Sequence, residues 1–469
     1  EYGGDLDGRL RFSLEVLREI KGVAGQDFPV VMRFSVKSFI KDWGKGALPG
    51  EDFAEMGRDV EESLAVARIL ERAGYDALDA DCGSYEGYYW AHPPGYQEHG
   101  CYLPYVAPLA RAVDIPVLVA GRMDKPDVAE RALAEGAADM VMLGRGLLAD
   151  PQWPHKVRAG RAERIRPCVG CHDGCLGRQD ICRPMSCAVN PACGREADYA
   201  LRPALRPRRV LVVGGGMAGM EAARVAAARG HTVRLLEQAE ALGGHVIAGS
   251  VPPFKSDERR LLEWYERELA EAGVEVVLGR RATPDSVADL EPEVVILAPG
   301  STAKVPPIPG IDGDHVLSAT EALLDPERVG DPVVVIGGGL VGCEVAVWLA
   351  QQGRRVSLVE ALGSLMAAVE VPHPNKLMMR DMLPAHGVEV HTGVTIAAIR
   401  DDGLELDGAG GTGRLAAASV VLATGYEPRA ATPAAWQDVT PEVYVIGDAA
   451  GPRNIMAAIW EGYEVARGL

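Results

Sequence analysis

The sequence predicts an α/β protein of several domains, and three observations carry that prediction. Short apolar strands alternate strictly with amphipathic helices through residues 1–160. A stretch rich in Pro, Gly and Cys then breaks the periodicity between Pro167 and Arg209. Beyond it, one strand–glycine turn–helix–strand pattern occurs twice, at Val210–Glu237 and at Val333–Glu360. Alternation of strand and helix implies parallel sheets with right-handed crossovers.

In the first region, a helix Arg9–Lys21 leads to a strand Phe28–Phe34 (FPVVMRF), and a helix Ser63–Ala73 leads to a strand Ala77–Ala80. A strand Ile115–Ala120 (IPVLVA), a helix Pro126–Glu135 and a strand Met140–Leu143 follow. The unit count fits half of a (β/α)8 barrel. The two later repeats imply two nucleotide-binding domains.

Composition narrows the function classes. A chain of 469 residues exceeds what one hydrophobic core usually fills, so two to four domains are expected. Its 55 glycines suit folds built on tight strand-to-helix turns. The net charge of −18 argues against nucleic-acid binding, which needs clustered Lys and Arg. No apolar run is long enough to cross a bilayer and no signal peptide is evident, so a cytoplasmic protein with no membrane partner is expected.

Each glycine turn has the context that a dinucleotide site needs. Gly214, Gly216 and Gly219 follow a buried strand and open a helix, and Gly337, Gly339 and Gly342 repeat the arrangement. The first glycine permits the turn, the second lets a pyrophosphate approach the backbone, and the third packs helix on sheet. The helix N-terminus then meets the phosphate charge. Glu237 and Glu360 stand where a carboxylate accepts hydrogen bonds from a ribose 2′-OH. A carboxylate repels a 2′-phosphate, so Glu360 favours NADH over NADPH if the second site takes the nicotinamide cofactor.

Six of the nine cysteines crowd between residues 168 and 193. The spacing Cys168-x2-Cys171-x3-Cys175-x11-Cys187 suits either a 4Fe–4S cluster or a structural zinc. Placement between the half-barrel and the two nucleotide-binding repeats favours the cluster, because a zinc would have no electron-transfer task there. Cys182 and Cys193 read as bystanders. His172 is either a group supporting the site or a surface histidine.

The two repeats resemble the flavoprotein pyridine-nucleotide reductases, in which an NAD domain is inserted into an FAD domain. That resemblance implies FAD contacts for Gly243, Gly447 and Asp448, the last two in the motif Val443–Asp448 (VYVIGD). The companion motifs are Leu297–Gly300 (LAPG) and Leu422–Gly425 (LATG). There is no redox Cys pair between Glu237 and Glu293, so dithiol chemistry is not expected.

The first region resembles the barrel of the old yellow enzyme family through Tyr2–Leu17 (YGGDLDGRLRFSLEVL) and Met32–Ser35 (MRFS). The resemblance implies that Arg33 reaches the N1–O2 edge of FMN. It also implies that Gly121, Arg122, Gly144 and Arg145 hold the FMN phosphate. Rim salt bridges are the alternative reading for the arginines.

Barrel, cluster segment and nucleotide domains in this order resemble the group of 2,4-dienoyl-CoA reductase, trimethylamine dehydrogenase and the 2-enoate reductases. The phrases Trp90–Pro94 (WAHPP), Ala120–Asp124 (AGRMD), Ile165–Gly177 (IRPCVGCHDGCLG) and Ser186–Glu196 (SCAVNPACGRE) carry the resemblance. It implies a partial FMN barrel at 1–160, a 4Fe–4S segment and linker at 161–205, and an FAD domain at 206–312 and 425–469 interrupted by an NAD(H) domain at 313–424.

The implied reaction takes electrons from NADH through FAD, cluster and FMN to an activated C=C bond of an unsaturated carboxylate or its CoA thioester. Candidate acids are His92 and Tyr85; for His92 a turn-capping role is the alternative. The aromatic run Tyr85, Tyr88, Tyr89 and Trp90 either walls a flat substrate or packs the barrel rim. An amine dehydrogenase, or an electron-transfer subunit without its own substrate site, are rival readings. About four barrel strands of the family precede the Tyr2–Leu17 motif. An N-terminal half-barrel, from the same gene or a separate chain, is therefore an expected partner, with a second copy of the chain, in a homo-oligomer, as a further candidate.

Overall fold

The computed structural model describes residues 2–368, 370–408 and 411–469. They form two compact units. The first runs to Leu147 and includes Pro151–Ala162; the second comprises Leu148–Asp150 and Glu163–Leu469.

The first unit is built on four parallel strands in the order Val31–Ser35, Ala77–Asp81, Val117–Val119, Met140–Val141. Two of them are shorter at the start than the apolar runs suggest. Pro29 and Pro116 lack the N–H that a ladder bond requires, so pairing begins beyond them. In the strand Ala77–Asp81 the period of two buries Leu78 and Ala80 and turns Asp79 and Asp81 to the opposite face.

Local signals set the helix limits in this unit. Asp5 caps the helix Leu6–Ala24 by accepting from Gly8 N at 2.9 Å. Asp59 likewise caps Val60–Ala73 by accepting from Glu62 N, and Gly74 ends that helix with a left-handed φ of 99°.

The second unit holds two five-stranded parallel sheets. In the first, the order is Val443–Val445, Val294–Leu297, Arg209–Val213, Thr232–Leu236, Glu275–Val277. In the second it is Val316–Ser318, Ser419–Leu422, Val333–Ile336, Val356–Glu360, Glu389–Thr392. Both glycine turns therefore follow a central strand, buried on both faces, which is why these strands read as unbroken apolar runs.

The chain passes between the sheets through an antiparallel ribbon, with Ser301 opposite Pro428 and Ala303 opposite Tyr426. A three-stranded antiparallel sheet, Val394–Arg400, Gly403–Gly408 and Gly411–Ala416, accompanies the second parallel sheet.

The helix Met217–Ala228 is buried along nearly its whole length. The C-terminal helix Ile455–Gly468 lies tightly against it: a Cβ at Gly462 would stand 2.4 Å from the carbonyl oxygen of Ala218. Within it, Glu221 and Arg224 form a buried pair with two 2.8 Å hydrogen bonds, which lets two charges sit in the core. Among the described residues, no helix is long and apolar enough to cross a membrane.

Candidate functional site

The two glycine turns share one geometry. Gly214 has φ 106° and Gly337 has φ 107°, a left-handed backbone that other residues rarely adopt. A side chain there would also strike the next strand end, 2.1 Å from the Ala298 carbonyl oxygen and 2.4 Å from that of Ala423. Gly216 and Gly339 cap the helices Met217–Ala228 and Leu340–Gln351 and face open space, as a site for an approaching pyrophosphate must. Gly219 and Gly342 pack against the turns themselves.

Glu237 and Glu360 are both clasped by backbone. Glu237 accepts from Gly215 N at 2.6 Å and Ala239 N at 2.8 Å. Glu360 accepts from Gly338 N at 2.6 Å and Leu362 N at 2.7 Å. Each carboxylate is thus fixed beside its glycine turn, where a ribose bound at the turn would meet it.

Three further expected residues gather around the first turn. Gly243, at φ 126°, donates its N–H to the Gly215 carbonyl at 2.8 Å. Gly447, at φ 66°, would bring a Cβ within 2.8 Å of Ala218 Cβ. Asp448 accepts from Ser301 Oγ at 2.8 Å, and that hydroxyl also lies 3.2 Å from His245 Nε2. Ser301 and His245 carry no motif of their own, and sequence reading missed them.

Cys168, Cys171, Cys175 and Cys187 all carry free thiols and lie close enough to influence one another electrostatically. Burial, and then the neighbouring Asp173 and the other cysteines, push the Cys171 thiol well up. Cys187 is pushed up by burial and by Cys168. A bound cation would reverse that preference, because metals take thiolates. Among the described residues, no three Cys, His, Asp or Glu side chains are drawn together as a single metal ion would need.

What brings Cys187 to the others is Gly174. A Cβ there would stand 2.4 Å from Ala188 N and 2.5 Å from the Cys187 carbonyl carbon. Trp460 Nε1 donates to the Cys187 carbonyl at 3.0 Å from the other side. The four cysteines of this loop pair fit the donor set of a cubane iron–sulfur cluster. Cys182 is exposed, while Cys193 is buried and its thiol is pushed up to about 11, first by burial. His172 is a buried group of the loop rather than a surface histidine.

In the first unit, Arg33 sits opposite Asp79 across the strand pair. Its guanidinium meets Asp81 Oδ2 at 2.7 Å and Asp79 Oδ2 at 3.4 Å. Burial raises both carboxyl pKa values, and Arg33 partly offsets this. Arg122 and Arg145 instead reach the loop after the second strand. Arg122 donates to the carbonyl of Gly95 at 2.9 Å and also to that of Gln97, and Arg145 donates to that of Pro93 at 2.7 Å. Gly144 is unobstructed.

The centre of this region is a residue that sequence reading passed over. Tyr102 is buried and donates its hydroxyl to the Trp90 carbonyl. A Cβ at Gly121 would stand 2.5 Å from the Tyr102 ring. Burial raises the phenol well above its usual range, and Cys101, Cys82 and Asp81 add to this.

The aromatic run divides. Trp90 stacks on Phe39 with centroids 3.6 Å apart, and both Trp90 and Tyr89 are buried packing groups. Tyr85 is 90% exposed and stacks on Tyr88. Tyr88 in turn meets the half-buried His92 edge-on at 4.8 Å. His92 also donates its backbone N–H to the Tyr88 carbonyl at the end of the short helix Tyr88–Ala91.

Residues 1–164 match the NADH:flavin oxidoreductase / NADH oxidase family. Residues 209–291 match the FAD dependent oxidoreductases and residues 282–462 the pyridine nucleotide-disulphide oxidoreductases. A cinnamate reductase of Clostridium sporogenes is 46% identical over all of this chain and 70% of its own length. The chain belongs to the NADH:flavin oxidoreductase family. Within it, the chain falls in the group of 2,4-dienoyl-CoA and enoate reductases.

Other family members agree. An NADH oxidase of Thermoanaerobacter brockii is 37% identical over 99% of this chain and 70% of its own. The structure of a 2-naphthoyl-CoA reductase complex superposes with a TM-score of 0.91 at 34% identity, covering 100% of this chain and 69% of that one. This family member is accordingly a flavin oxidoreductase using a pyridine nucleotide.

Proposed function

We propose that the chain works as an NADH-dependent reductase of activated C=C bonds in unsaturated carboxylates or their CoA thioesters. The observation that carries this reading is the four-cysteine site within the same compact unit as two dinucleotide turns, each with its own clasped carboxylate. The similarity to a cinnamate reductase and a 2-naphthoyl-CoA reductase supports the substrate class. When bound, FAD, a 4Fe–4S cluster and FMN would supply a relay that accepts hydride from NADH, passes single electrons and delivers hydride to a β-carbon.

The chain's own residues have definable tasks in this scheme. Gly214, Gly216, Gly219, Gly243, Gly447 and Asp448 would seat FAD, with Glu237 on its ribose. Gly337, Gly339 and Gly342 would seat NADH, and Glu360 would turn away the 2′-phosphate of NADPH. Cys168, Cys171, Cys175 and Cys187 would hold the cluster as thiolates. Arg33, Gly121, Arg122, Gly144 and Arg145 would face FMN. Of these, Arg122 and Arg145 would act chiefly by fixing the loop at Pro93–Gln97, given the carbonyls they hold. His92 or Tyr85 would give the proton to the α-carbon.

An amine dehydrogenase has less support, since the second turn and Glu360 are complete and an enzyme passing electrons to a carrier protein needs no NADH. The test is anaerobic turnover with NADH and either a cinnamate-type acid, an enoyl-CoA or an artificial dye, alongside metal analysis. About four irons per chain and NADH-driven dye reduction are expected. Stoichiometric zinc without iron, or flavin reduction by an amine but not by NADH, overturns the reading.

A further inference from the structure

The loop that carries Cys168, Cys171 and Cys175 is held by a residue far away in the chain. His172 is buried, and its Nδ1 donates to Asn375 Oδ1 at 2.6 Å. The same Asn375 side chain donates from Nδ2 to the Gly170 carbonyl at 3.2 Å. Asn375 is itself buried, on the helix Asn375 shares with His373–Ala385, which follows the second dinucleotide turn. One amide thus spans the loop on both sides of Cys171.

The loop needs such a brace. Gly170 and His172 both take left-handed backbone, at φ 62° and 63°, and a residue with a β-carbon adopts that conformation only when its surroundings impose it. The His172 carbonyl receives Gly177 N at 2.9 Å and faces the Cys175 thiol at 3.7 Å. Any rotation at His172 would therefore move the amides and thiols of Cys171 and Cys175 together.

We propose that Asn375 is a positioning residue of the cysteine site, fixing the loop of Cys171 and Cys175 from the nicotinamide-type sheet and so setting the reduction potential of the group held there. The proposal rests on the iron–sulfur reading. Cluster potentials follow the hydrogen bonds to sulfur and the access of water, and both depend on how this loop lies. The amide acts through His172 and Gly170; it touches no thiol itself.

The test uses the full chain, purified anaerobically and reduced stepwise with dithionite while the cluster's paramagnetic resonance signal is followed. Asn375→Leu and His172→Leu should each retain iron, alter the signal and change the one-electron reduction equilibrium about tenfold, some 59 mV. The double variant should move no further than Asn375→Leu alone, because the bond that His172→Leu removes is already lost there. Should Asn375→Leu lose its iron, Asn375→Asp is the test: it keeps the acceptor for His172, loses the donor to Gly170, and should still shift the potential. Full iron with an unmoved signal and potential in these variants, or additive shifts in the double variant, overturns the proposal. Wild-type protein without iron overturns the cluster reading on which it stands.

Discussion

A methyl group on Gly219 would stand 1.9 Å from the carbonyl oxygen of Gly214, and one on Gly342 would stand 1.8 Å from that of Gly337. Neither backbone can retreat, because each turn is already pressed against the end of the neighbouring strand. Gly219→Ala should therefore spread the first turn, and Gly342→Ala the second. The former should lower FAD retention by roughly 5–150-fold, overpacking of this kind costing about 1–3 kcal/mol. The latter should leave FAD in place and weaken NADH binding by a similar factor. Flavin extraction and NADH titration of each variant distinguish them, and loss of FAD in Gly342→Ala would contradict the assignment of the turns.

The clasp on Glu360 bears on cofactor choice. Its two oxygens are held by Gly338 N and Leu362 N, so the carboxylate cannot swing aside for a 2′-phosphate. Dye reduction should run faster with NADH than with NADPH. Glu360→Ser should narrow the ratio of kcat/KM values by about 10–100-fold, the range of one charge-assisted contact at about 1.5–3 kcal/mol. Equal use of both cofactors by the wild-type chain would show that the carboxylate does not face the ribose.

Gly174 offers a way to loosen the cysteine site without touching a thiol. Its missing Cβ is the space that Cys187 and Ala188 occupy. Gly174→Ala should push the Cys187 segment outward and leave the chain with less than half the iron of the wild type, while FAD content is unchanged. Iron analysis by absorption against flavin content checks this, and full iron in the variant would mean that Cys187 is not a ligand.

Stability should respond to pH through Glu258. It is buried, with Lys255 Nζ 2.8 Å from its carboxylate, and burial raises its carboxyl from 4.5 to about 7. Between those two values the unfolded chain has released a proton that the folded chain still holds. Stability present below about pH 4.5 is therefore lost as pH rises to about 7. Glu258→Gln cannot ionise. Its stability relative to wild type should rise between pH 5 and pH 8 by on the order of 2–3 kcal/mol, read from denaturant midpoints. A flat difference across that range would place the titration elsewhere.

What the sequence made legible here is what has a local period or a local spacing. The parallel strands, both glycine turns and the cysteine set Cys168, Cys171, Cys175 and Cys187 could be read because each is written within a few tens of residues. Asn375 could not, because its partners His172 and Gly170 lie 203 and 205 positions away and a buried amide leaves no pattern. Tyr102 was hidden for a similar reason: a tyrosine just before the short apolar helix Leu103–Ala110 reads as packing. Arg122 and Arg145 were legible as residues at strand ends, yet the carbonyls they hold belong to a proline-rich loop whose path no periodicity describes.

The antiparallel ribbon at Ser301–Ala303 and Tyr426–Pro428 has a consequence for how such a chain can be cut and joined. Ala303 and Tyr426 are direct partners across it, so the two ends of everything between them stand side by side. Removing residues 304–425 and closing the gap with a two-residue turn would leave an ordinary hairpin. The first five-stranded sheet would keep every one of its strands. The segment removed is thus a cassette, exchangeable for another of different nucleotide preference, provided the newcomer brings an amide to stand where Asn375 stood.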